Sequence, residues 1–315
     1  MPALPIIIDC DPGQDDAVML LLALACRDEL EILGITTNAG NVPLELTQRN
    51  ARLICELAGV LNVLVYAGEP QPLRRSLVTA EHVHGRTGID GVDIHEPAVP
   101  LQEQGAVDFI VARLTAAADA SITLVPTGPL TNIALAMLKA PAIKEKIRQI
   151  VLMGGASREG GNITPSAEFN IYVDPDAAEI VLRCGRPITM VGLDLSHQVI
   201  TTPERLQHIR ALGSKVAAST VAMLEFFNRY DSEKYGTEGA PLHDPCTIAW
   251  LLQPDLFKGK ACNVAVETES SLTLGHTAVD FWNISGRPKN VTWLYHVDAD
   301  GFYKLLTDRL ARYEH

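Results

Sequence analysis

Short apolar runs alternate with helical segments along most of this chain, and this alternation limits the possible folds more than any other feature of the sequence. The apolar runs are continuous and rich in β-branched residues, which is typical of strands buried on both faces. They lie at residues 5–9, 31–37, 62–67, 121–126, 149–153 and 187–193, with helical segments at 16–26, 44–58, 106–118, 131–138 and 176–183. The pattern predicts an α/β fold with a mostly parallel central sheet and helices on both faces, as in Rossmann-like proteins.

The C-terminal part continues the pattern with predicted strands at 262–269, 273–282 and 291–297 and a closing helix at 301–313. No low-complexity tract, internal repeat or linker rich in Pro, Gly and Ser divides the chain. We therefore expect residues 1–315 to form a single open domain.

Small or hydrogen-bonding residues follow five of the predicted strands, at the point where each strand ends. They are DCDPGQDD at 9–16, NAGN at 38–41, TGPLTN at 127–132, GG at 154–155 and Asp194. Because the carboxyl ends of parallel strands meet at one edge of the sheet, where open α/β proteins bind their ligands, we expect the active site at this edge.

Carboxylates are concentrated after the first strand, where Asp9, Asp11, Asp15 and Asp16 lie close together. If these four groups faced one cavity, they would repel one another unless a cation offset their charge. Oxygen ligands without an accompanying Cys or His cluster favour Ca²⁺ or Mg²⁺ over Zn²⁺. The alternative is that two of the first four are only a helix cap and surface acids, since a helix N-terminus favours negative charge.

Two further polar segments lie downstream. His243 and Asp244 precede a predicted apolar helix at 247–252, and the alternative to a catalytic pair is a capping Asp beside an incidental His. Asn162, Glu168 and Asn170 lie in an irregular stretch at 160–170. Such side chains suit the recognition of vicinal hydroxyls, although Asn-rich turns also occur for structural reasons.

The charge balance is acidic, with 26 Lys and Arg against 38 Asp and Glu and a net charge of −12. Such a chain does not bind phosphate backbones through charge, so nucleic acid polymers are not expected as partners.

The longest apolar stretch, at 17–26, is shorter than a membrane span, and the N-terminus lacks the basic region of a secretory signal. Six cysteines without a CxxC pair indicate reduced thiols. We therefore expect a cytoplasmic protein with no membrane partner.

Several ordered motifs resemble those of the inosine–uridine type nucleoside hydrolases, which cleave the N-glycosidic bond of ribonucleosides. They are DCDPGQDDA at 9–17, ITTNAGN at 35–41, HVHG at 82–85, VPTGPLTN at 125–132, VLMGG at 151–155, AEFNI at 167–171, VDP at 173–175, GLD at 192–194 and HDP at 243–245. The resemblance covers nearly the whole chain, and the first motif is highly specific. It implies an enzyme of nucleoside catabolism and salvage that releases free base and ribose, with a homo-oligomer, either dimer or tetramer, as the common assembly.

The resemblance also implies a metal centre. Asp11, Asp16, Asp244 and the main-chain carbonyl of Thr127 would bind Ca²⁺, and ribose hydroxyls and a water would complete its shell. Asp11 would take the proton from this Ca-bound water, which attacks the anomeric carbon.

Contacts to the ribose follow from the same motifs. Asp15, Asn41 and Asn170 would hold ribose hydroxyls, while Asn162 and Glu168 would reach the 5′-hydroxyl. With these ligands placed, we expect five acids to face one small cavity, namely Asp9, Asp11, Asp15, Asp16 and Asp244. A site with this much negative charge should accept nucleosides and reject nucleotides.

Residues near the base are expected to set substrate preference. The resemblance implies that His243 is the general acid to the leaving base, a role that its ordinary pKa near 6.5 suits. The segment at 226–236, with Tyr230 and Tyr235, is closer to the pyrimidine-preferring branch, and His82 would join it. We expect a preference for uridine and cytidine, with a nonspecific or purine-accepting hydrolase as the alternative.

Two more distant alternatives come from other functional classes. Asp-x-Asp after a first strand also opens the Mg²⁺-dependent aspartate-nucleophile phosphatases, but Gly13 stands where that family has Thr or Val, and the later Lys is missing. A nonenzymatic nucleoside-binding protein could use the same ribose pocket, although Asp11 beside three metal ligands argues against it.

Overall fold

A nine-stranded sheet forms the centre of the computed structural model, which describes residues 2–235 and 238–313 apart from the side chains of residues 231, 232, 234 and 235. The strands are β1 Leu4–Cys10, β2 Leu30–Thr37, β3 Val65–Ala67, β4 Ile122–Pro126, β5 Ile147–Met153, β6 Ile188–Val191, β7 Phe257–Val266, β8 Thr277–Asp280 and β9 Val291–Val297. Their order is β3-β2-β1-β4-β5-β6-β9-β7-β8. Among these described strands, the pairings of β7 with β8 and β9 are the only antiparallel ones, so the prediction of a mostly parallel sheet is confirmed.

Helices cover both faces of the sheet, as predicted. The α-helices are α1 Gln14–Leu24, α2 Leu44–Leu57, α3 Glu81–His84, α4 Ala106–Thr115, α5 Thr131–Lys139, α6 Phe169–Val173, α7 Pro175–Leu182, α8 Leu193–Ser196, α9 Pro203–Arg210, α10 Lys215–Tyr235, α11 Pro245–Leu252 and α12 Ala299–Leu310. Because successive strand residues point to opposite faces, Ile6 and Ile8 join one apolar cluster with Leu20 of α1, and Ile7 joins a second with Ile133 of α5.

Helix α1 is buried along its whole length, since it packs against α2, α10, α11 and α12 as well as belonging to the apolar core of the sheet. Its sequence is apolar on every side from Ala17 to Leu24, as expected of a helix without a solvent face. Asp15 and Asp16 occupy its first turn. A fully packed helix therefore fixes the position of these two carboxylates.

The site lies where the direction of the sheet reverses. Strand β1 pairs with β2 on one side and β4 on the other, and Asp9 is level with Thr36 and Pro126. The chain moves outward through β2 and β3 on one side and through β4, β5 and β6 on the other. Such a switch point leaves a crevice at the carboxyl ends of the central strands.

Two departures from the predicted pattern concern the C-terminal half. The sequence pattern missed α9 and α10, which carry the chain from β6 toward α11. Strand β7 begins earlier than predicted, because exposed Lys258 and half-buried Lys260 interrupt the apolar run of a strand that lies antiparallel beside β9. None of the helices in the described part of the chain is both long enough and apolar enough to cross a membrane.

Candidate active site

Three carboxylates meet at the carboxyl edge of the sheet. Asp15 and Asp16 come from the start of α1, and Asp244 directly precedes α11. One oxygen of each lies within 4.8 Å of the others, and all three residues are buried. Asp16 accepts hydrogen bonds from N of Gly13 (3.1 Å) and from Oγ1 of Thr127 (2.7 Å). Residues that are distant in the sequence thus form one acidic cluster.

Asp11 adjoins this cluster and is held by Asn41. Its Oδ2 accepts a hydrogen bond from N of Asn41 (2.7 Å), while Nδ2 of Asn41 donates to O of Asp11 (3.1 Å) and to Oδ2 of Asp16 (3.2 Å). Gly40 and Gly128 leave room for the Asp11 carboxylate, since a Cβ at either position would overlap it. Among the described residues nothing donates to the buried Oδ1 of Asp11. This oxygen is therefore available to a cation or to a water molecule.

Burial and mutual repulsion disfavour the ionised forms of these carboxylates. Burial, followed by the charges of neighbouring aspartates, raises the pKa values of Asp11 and Asp244 well above their usual range. Burial and the charge of Asp15 raise the pKa of Asp16 to about 7, although hydrogen bonds to its carboxylate lower it. A cation would relieve this repulsion, and a donor set of oxygens alone suits Ca²⁺ or Mg²⁺. The residues present therefore fit a hard divalent cation.

Asp9 has a different environment from the other acids and does not line the cavity. Its Oδ1 accepts hydrogen bonds from Oγ1 of Thr36 (2.6 Å) and Nδ2 of Asn132 (2.8 Å), and burial raises its pKa to about 7. Asn132 also donates to O of Thr37 (3.1 Å) and accepts from N of Glu69 (3.0 Å). The expectation that Asp9 faces the cavity is wrong, because Asp9 and Asn132 instead join the ends of β1 and β2.

A cavity of about 440 Å³ adjoins the cluster. This volume lies within the range of about 300–1,000 Å³ that is common for small-molecule sites. Its polar lining includes Asp15, Asn41, Thr127 and Asp244, whereas Asp11 contacts Asn41 without lining the cavity itself. The remaining lining includes imidazole and aromatic rings from His82, His84, His197, His243, Phe169, Phe227 and Tyr230. The cavity thus combines an acidic part with an aromatic part.

Glu168 lines the cavity and also caps α6. Its carboxylate accepts hydrogen bonds from N of Gly155 (2.9 Å), N of Asn170 (2.9 Å) and N of Ile171 (3.2 Å). Burial raises its pKa, while these three hydrogen bonds lower it. A carboxylate so strongly held is a rigid part of the lining.

Asn162 and Asn170 also line the cavity while holding main-chain groups. Oδ1 of Asn162 accepts from N of Phe169 (2.9 Å). Nδ2 of Asn170 donates to O of Thr127 (2.7 Å) and to O of Met153 (3.3 Å). The loop after β5 is thereby tied to the end of β4, next to the acidic cluster.

His243 lies between the acidic cluster and the aromatic lining. Its Nδ1 is 2.7 Å from Oγ of Ser196, and its ring centroid lies 6.0 Å from that of His197 and 6.5 Å from that of Phe227. Burial lowers the pKa of His243 to about 3, with smaller contributions from His197 and His84. The imidazole is therefore neutral near pH 7.

The remaining base-side predictions concern His82, Tyr230 and Tyr235. The rings of His82 and Tyr230 meet edge to face, with centroids 5.6 Å apart, and both residues line the cavity. Tyr235 ends α10, and its side chain lies outside the described residues.

Some lining residues were not among the individually predicted contacts, although His84 lies in the HVHG motif and Phe227 in the segment at 226–236. His84 is buried, with Nδ1 2.8 Å from Oε1 of Gln14 and its ring stacked on Phe227, and burial lowers its pKa to about 3. Phe227 belongs to α10, which the sequence pattern did not reveal. His197 directly follows α8, the short helix after β6, so the rule that located the other strand-end residues could have found it.

Comparisons with known proteins agree with this geometry. The family model described as inosine-uridine preferring nucleoside hydrolase matches residues 6–304. A pyrimidine-specific ribonucleoside hydrolase RihA from Photobacterium profundum is 51% identical over 310 residues, which cover 98% of this chain and 99% of that protein. Among solved structures, a purine-preferring ribonucleoside hydrolase from Gardnerella vaginalis is 35% identical, with a TM-score of 0.90 and 98% of both chains covered. The plant nucleoside hydrolase PpNRh1 is 32% identical, with a TM-score of 0.92 and 98% of this chain and 99% of that one covered.

A family model that spans nearly all of the chain, together with relatives aligned over almost their full length, settles the family. The chain belongs to the inosine–uridine preferring nucleoside hydrolases and is an N-glycosidase that acts on ribonucleosides.

Proposed function

We propose that this hydrolase prefers the pyrimidine ribonucleosides uridine and cytidine and that residues 1–315 form one catalytic domain. The observation that carries the preference is the 51% identity to a pyrimidine-specific relative, against 35% to a purine-preferring one. The cavity suits a purine or a pyrimidine nucleoside, since its acidic part would face the ribose and the adjoining aromatic part would face the base. Family membership removes the phosphatase alternative.

The reaction breaks the bond between C1′ of the ribose and the base nitrogen. The electron pair of that bond leaves with the base, and the oxygen of a water molecule bonds to C1′. One proton of that water stays on the new C1′ hydroxyl and the other passes to the enzyme, while the departing base takes up one proton. The transition state resembles an oxocarbenium ion, so nearby carboxylates stabilise its positive charge. We assign Asp15, Asn41 and Asn170 to the ribose hydroxyls, and Asn162 and Glu168 to the side of the 5′-hydroxyl.

We further propose that the cation is Ca²⁺, held by Asp11, Asp16, Asp244 and the carbonyl of Thr127. Ca²⁺ takes more oxygen ligands than Mg²⁺ and tolerates irregular geometry, which suits several carboxylates joined by a main-chain carbonyl. When bound, such an ion supplies an acidified water molecule and an anchor for ribose hydroxyls. Oδ1 of Asp11, which has no donor among the described residues, would accept the proton of the attacking water.

At the base, we assign His243 to hydrogen-bond donation toward the departing ring. His82 and Tyr230, which contact each other at the cavity, would contact the pyrimidine. Tyr235 is retained as a base contact on the resemblance alone.

Two further proposals concern the state of the protein in the cell. All six cysteines are buried free thiols, which supports a reducing compartment such as the cytoplasm.

Three large apolar side chains, Leu272, Trp282 and Ile284, are 83%, 70% and 86% exposed, which supports assembly into a dimer or tetramer. Light scattering on the purified protein measures the oligomeric state, and a monomer at micromolar concentration would contradict the assembly.

Ribose release from a panel of nucleosides tests the proposed function. We expect kcat/KM for uridine or cytidine to exceed that for inosine by at least ~10-fold, since contacts to one base commonly contribute more than 1 kcal/mol. Comparable kcat/KM values for inosine and uridine would overturn the preference. If no ribonucleoside released a reducing sugar, the protein would bind nucleosides without cleaving them.

Metal dependence and the role of Asp11 use the same assay. A chelator should abolish activity, and Ca²⁺ should restore more of it than Mg²⁺ does. Asp11→Ala should lose at least ~100-fold in kcat, in line with the usual contribution of a catalytic base. Asp119→Ala, which removes an exposed carboxylate outside the cavity, is the matched control and should retain full activity.

A further inference from the structure

Ser196 is the hydrogen-bond partner of His243 and lies outside the cavity lining. Its Oγ is 2.7 Å from Nδ1 of His243, and the residue is fully buried. The His243 ring makes no other hydrogen bond among the described residues, so its second nitrogen, Nε2, is free to act in the cavity. The role of Nε2 toward a substrate depends on whether it carries hydrogen.

The geometry indicates which partner donates. The 2.7 Å separation is shorter than the usual distance of about 2.9–3.0 Å for an N–H that donates to an oxygen, as His243 would do toward Oγ of Ser196. In the described part of the chain the hydroxyl of Ser196 has no acceptor besides His243, and a buried donor without an acceptor is costly. Both considerations favour donation from Oγ of Ser196 to Nδ1 of His243.

The main chain holds both residues in register. Ser196 ends α8, and the segment after it pairs with the segment before His243. N of Leu242 donates to O of Val199 (2.9 Å), and N of Thr201 donates to O of Ala240 (2.8 Å). Main-chain hydrogen bonds between these two segments therefore fix the distance between Ser196 and His243.

A second group on α8 fixes the neighbouring loop. The carboxylate of Asp194 accepts hydrogen bonds from N of Ser157 and N of Arg158, both 2.7 Å. The short helix thus braces the loop after β5 on one side and His243 on the other.

We propose that Ser196 is a positioning residue that donates a hydrogen bond to Nδ1 of His243 and thereby keeps the ring hydrogen on Nε2, so that Nε2–H donates a hydrogen bond to the departing base. This inference rests on the proposed function, because it assumes that His243 faces the leaving group. As the bond from C1′ breaks, its electron pair increases the negative charge on the base, and donation from Nε2–H stabilises that charge. Without the Ser196 hydroxyl, the hydrogen can move to Nδ1, and Nε2 then presents a lone pair.

The kinetic test compares two leaving groups. In Ser196→Ala we expect kcat for uridine to fall about 10-fold to 100-fold, the range for a lost buried hydrogen bond. For p-nitrophenyl riboside, whose phenolate leaves without hydrogen-bond assistance, we expect less than about a 2-fold change. Ser214→Ala, which removes another buried serine hydroxyl that bonds to N of Ala217, is the matched control and should change neither rate.

A spectroscopic test does not depend on turnover. In wild-type protein labelled with ¹⁵N-histidine, Nδ1 of His243 should resonate as an unprotonated ring nitrogen and Nε2 as a protonated one. In Ser196→Ala this pattern should weaken or invert. Assignment follows from the signal that disappears in His243→Gln.

The outcomes separate the two proposals. If the wild type releases no ribose from uridine, the proposed function fails whatever Ser196 does. If the wild type is active, then equal losses on uridine and p-nitrophenyl riboside, an unchanged uridine rate, or protonated Nδ1 in the wild type would each overturn the role of Ser196. A further loss on uridine when Ser196→Ala is added to His243→Gln would also refute it, because a positioning residue acts only through its partner.

Discussion

Replacing Asp16 by Asn should stabilise the metal-free protein while abolishing its activity. In the acidic cluster, burial and the charge of Asp15 raise the pKa of Asp16 from 3.8 to about 7. A shift of this size opposes the ionised form by about 4 kcal/mol at pH 8. The substitution removes this penalty but also replaces a carboxylate that accepts hydrogen bonds from Gly13, Asn41 and Thr127. Loss of one accepting oxygen costs about 1–2 kcal/mol, so the expected net gain is about 2–3 kcal/mol.

The pH dependence of this effect has a definite sign. Because the folded pKa of Asp16 lies above the unfolded one, the penalty is absent below pH 4, grows between pH 4 and 7, and is complete above pH 7. Metal-free wild type should therefore lose stability as the pH rises through this window, and Asp16→Asn should lose less. Near pH 4 the two proteins should differ only by the lost hydrogen bond.

Thermal unfolding in a chelator, monitored by circular dichroism, measures this difference. For a chain of this size, about 2 °C per kcal/mol converts the expected gain into a rise in Tm of about 5 °C at pH 8. With Ca²⁺ present, wild type should gain stability through binding, and the variant should gain little. Asp298→Asn, which alters a helix cap outside the cluster, should change Tm by less than about 1 °C. A lower Tm for metal-free Asp16→Asn at pH 8 would refute the reasoning.

Three other predictions test the strand ends, the close packing and the charge of the cavity. Asn132→Ala should cost about 3 kcal/mol in urea unfolding, because it leaves groups on Asp9 and Thr37 unpaired, and a loss below 1 kcal/mol would contradict that role. Gly192→Ala should cost about 2 kcal/mol or more, since its Cβ would overlap the Trp293 ring; unchanged stability would mean that the ring moves freely. Uridine 5′-monophosphate should be cleaved at least ~100-fold less efficiently than uridine, as measured by kcat/KM, because its phosphate would approach an acidic cavity. Equal rates would show that the acids do not face the 5′ side.

The sequence was informative wherever one physical cause dominated. Strands β1, β2, β4 and β5 were predicted to within about two residues, because most of their residues are buried on both faces, which requires a nearly continuous apolar run. The position of Asp15 and Asp16 at the carboxyl edge followed from the strand-end rule, whereas that of Asp244 was expected only from the family resemblance. The amphipathic α2 was predicted to within one residue, since its polar and apolar faces alternate with the helical period.

Features that depend on tertiary partners could not be predicted in this way. Helix α10 combines a polar end with a buried middle, so its sequence lacks a single dominant pattern. The position of Phe227 in the cavity was therefore not predicted either. The distinct role of Asp9 depends on Asn132, which lies more than a hundred positions away. The hydrogen bond between Ser196 and His243 depends on the main-chain pairing of residues 199–201 with residues 240–242, and the local sequence does not predict this pairing.

The acidic cluster joins parts of the chain that are synthesised far apart, since Asp16 opens α1 and Asp244 lies more than two hundred positions later. Long-range contacts of this kind form only after most of the sheet and α11 have docked. A cation that needs both parts would thus bind the completed fold rather than an early intermediate. Calcium would then leave the refolding rate nearly unchanged while slowing unfolding, so that the ion acts as a latch on the finished molecule rather than as a nucleus for its folding.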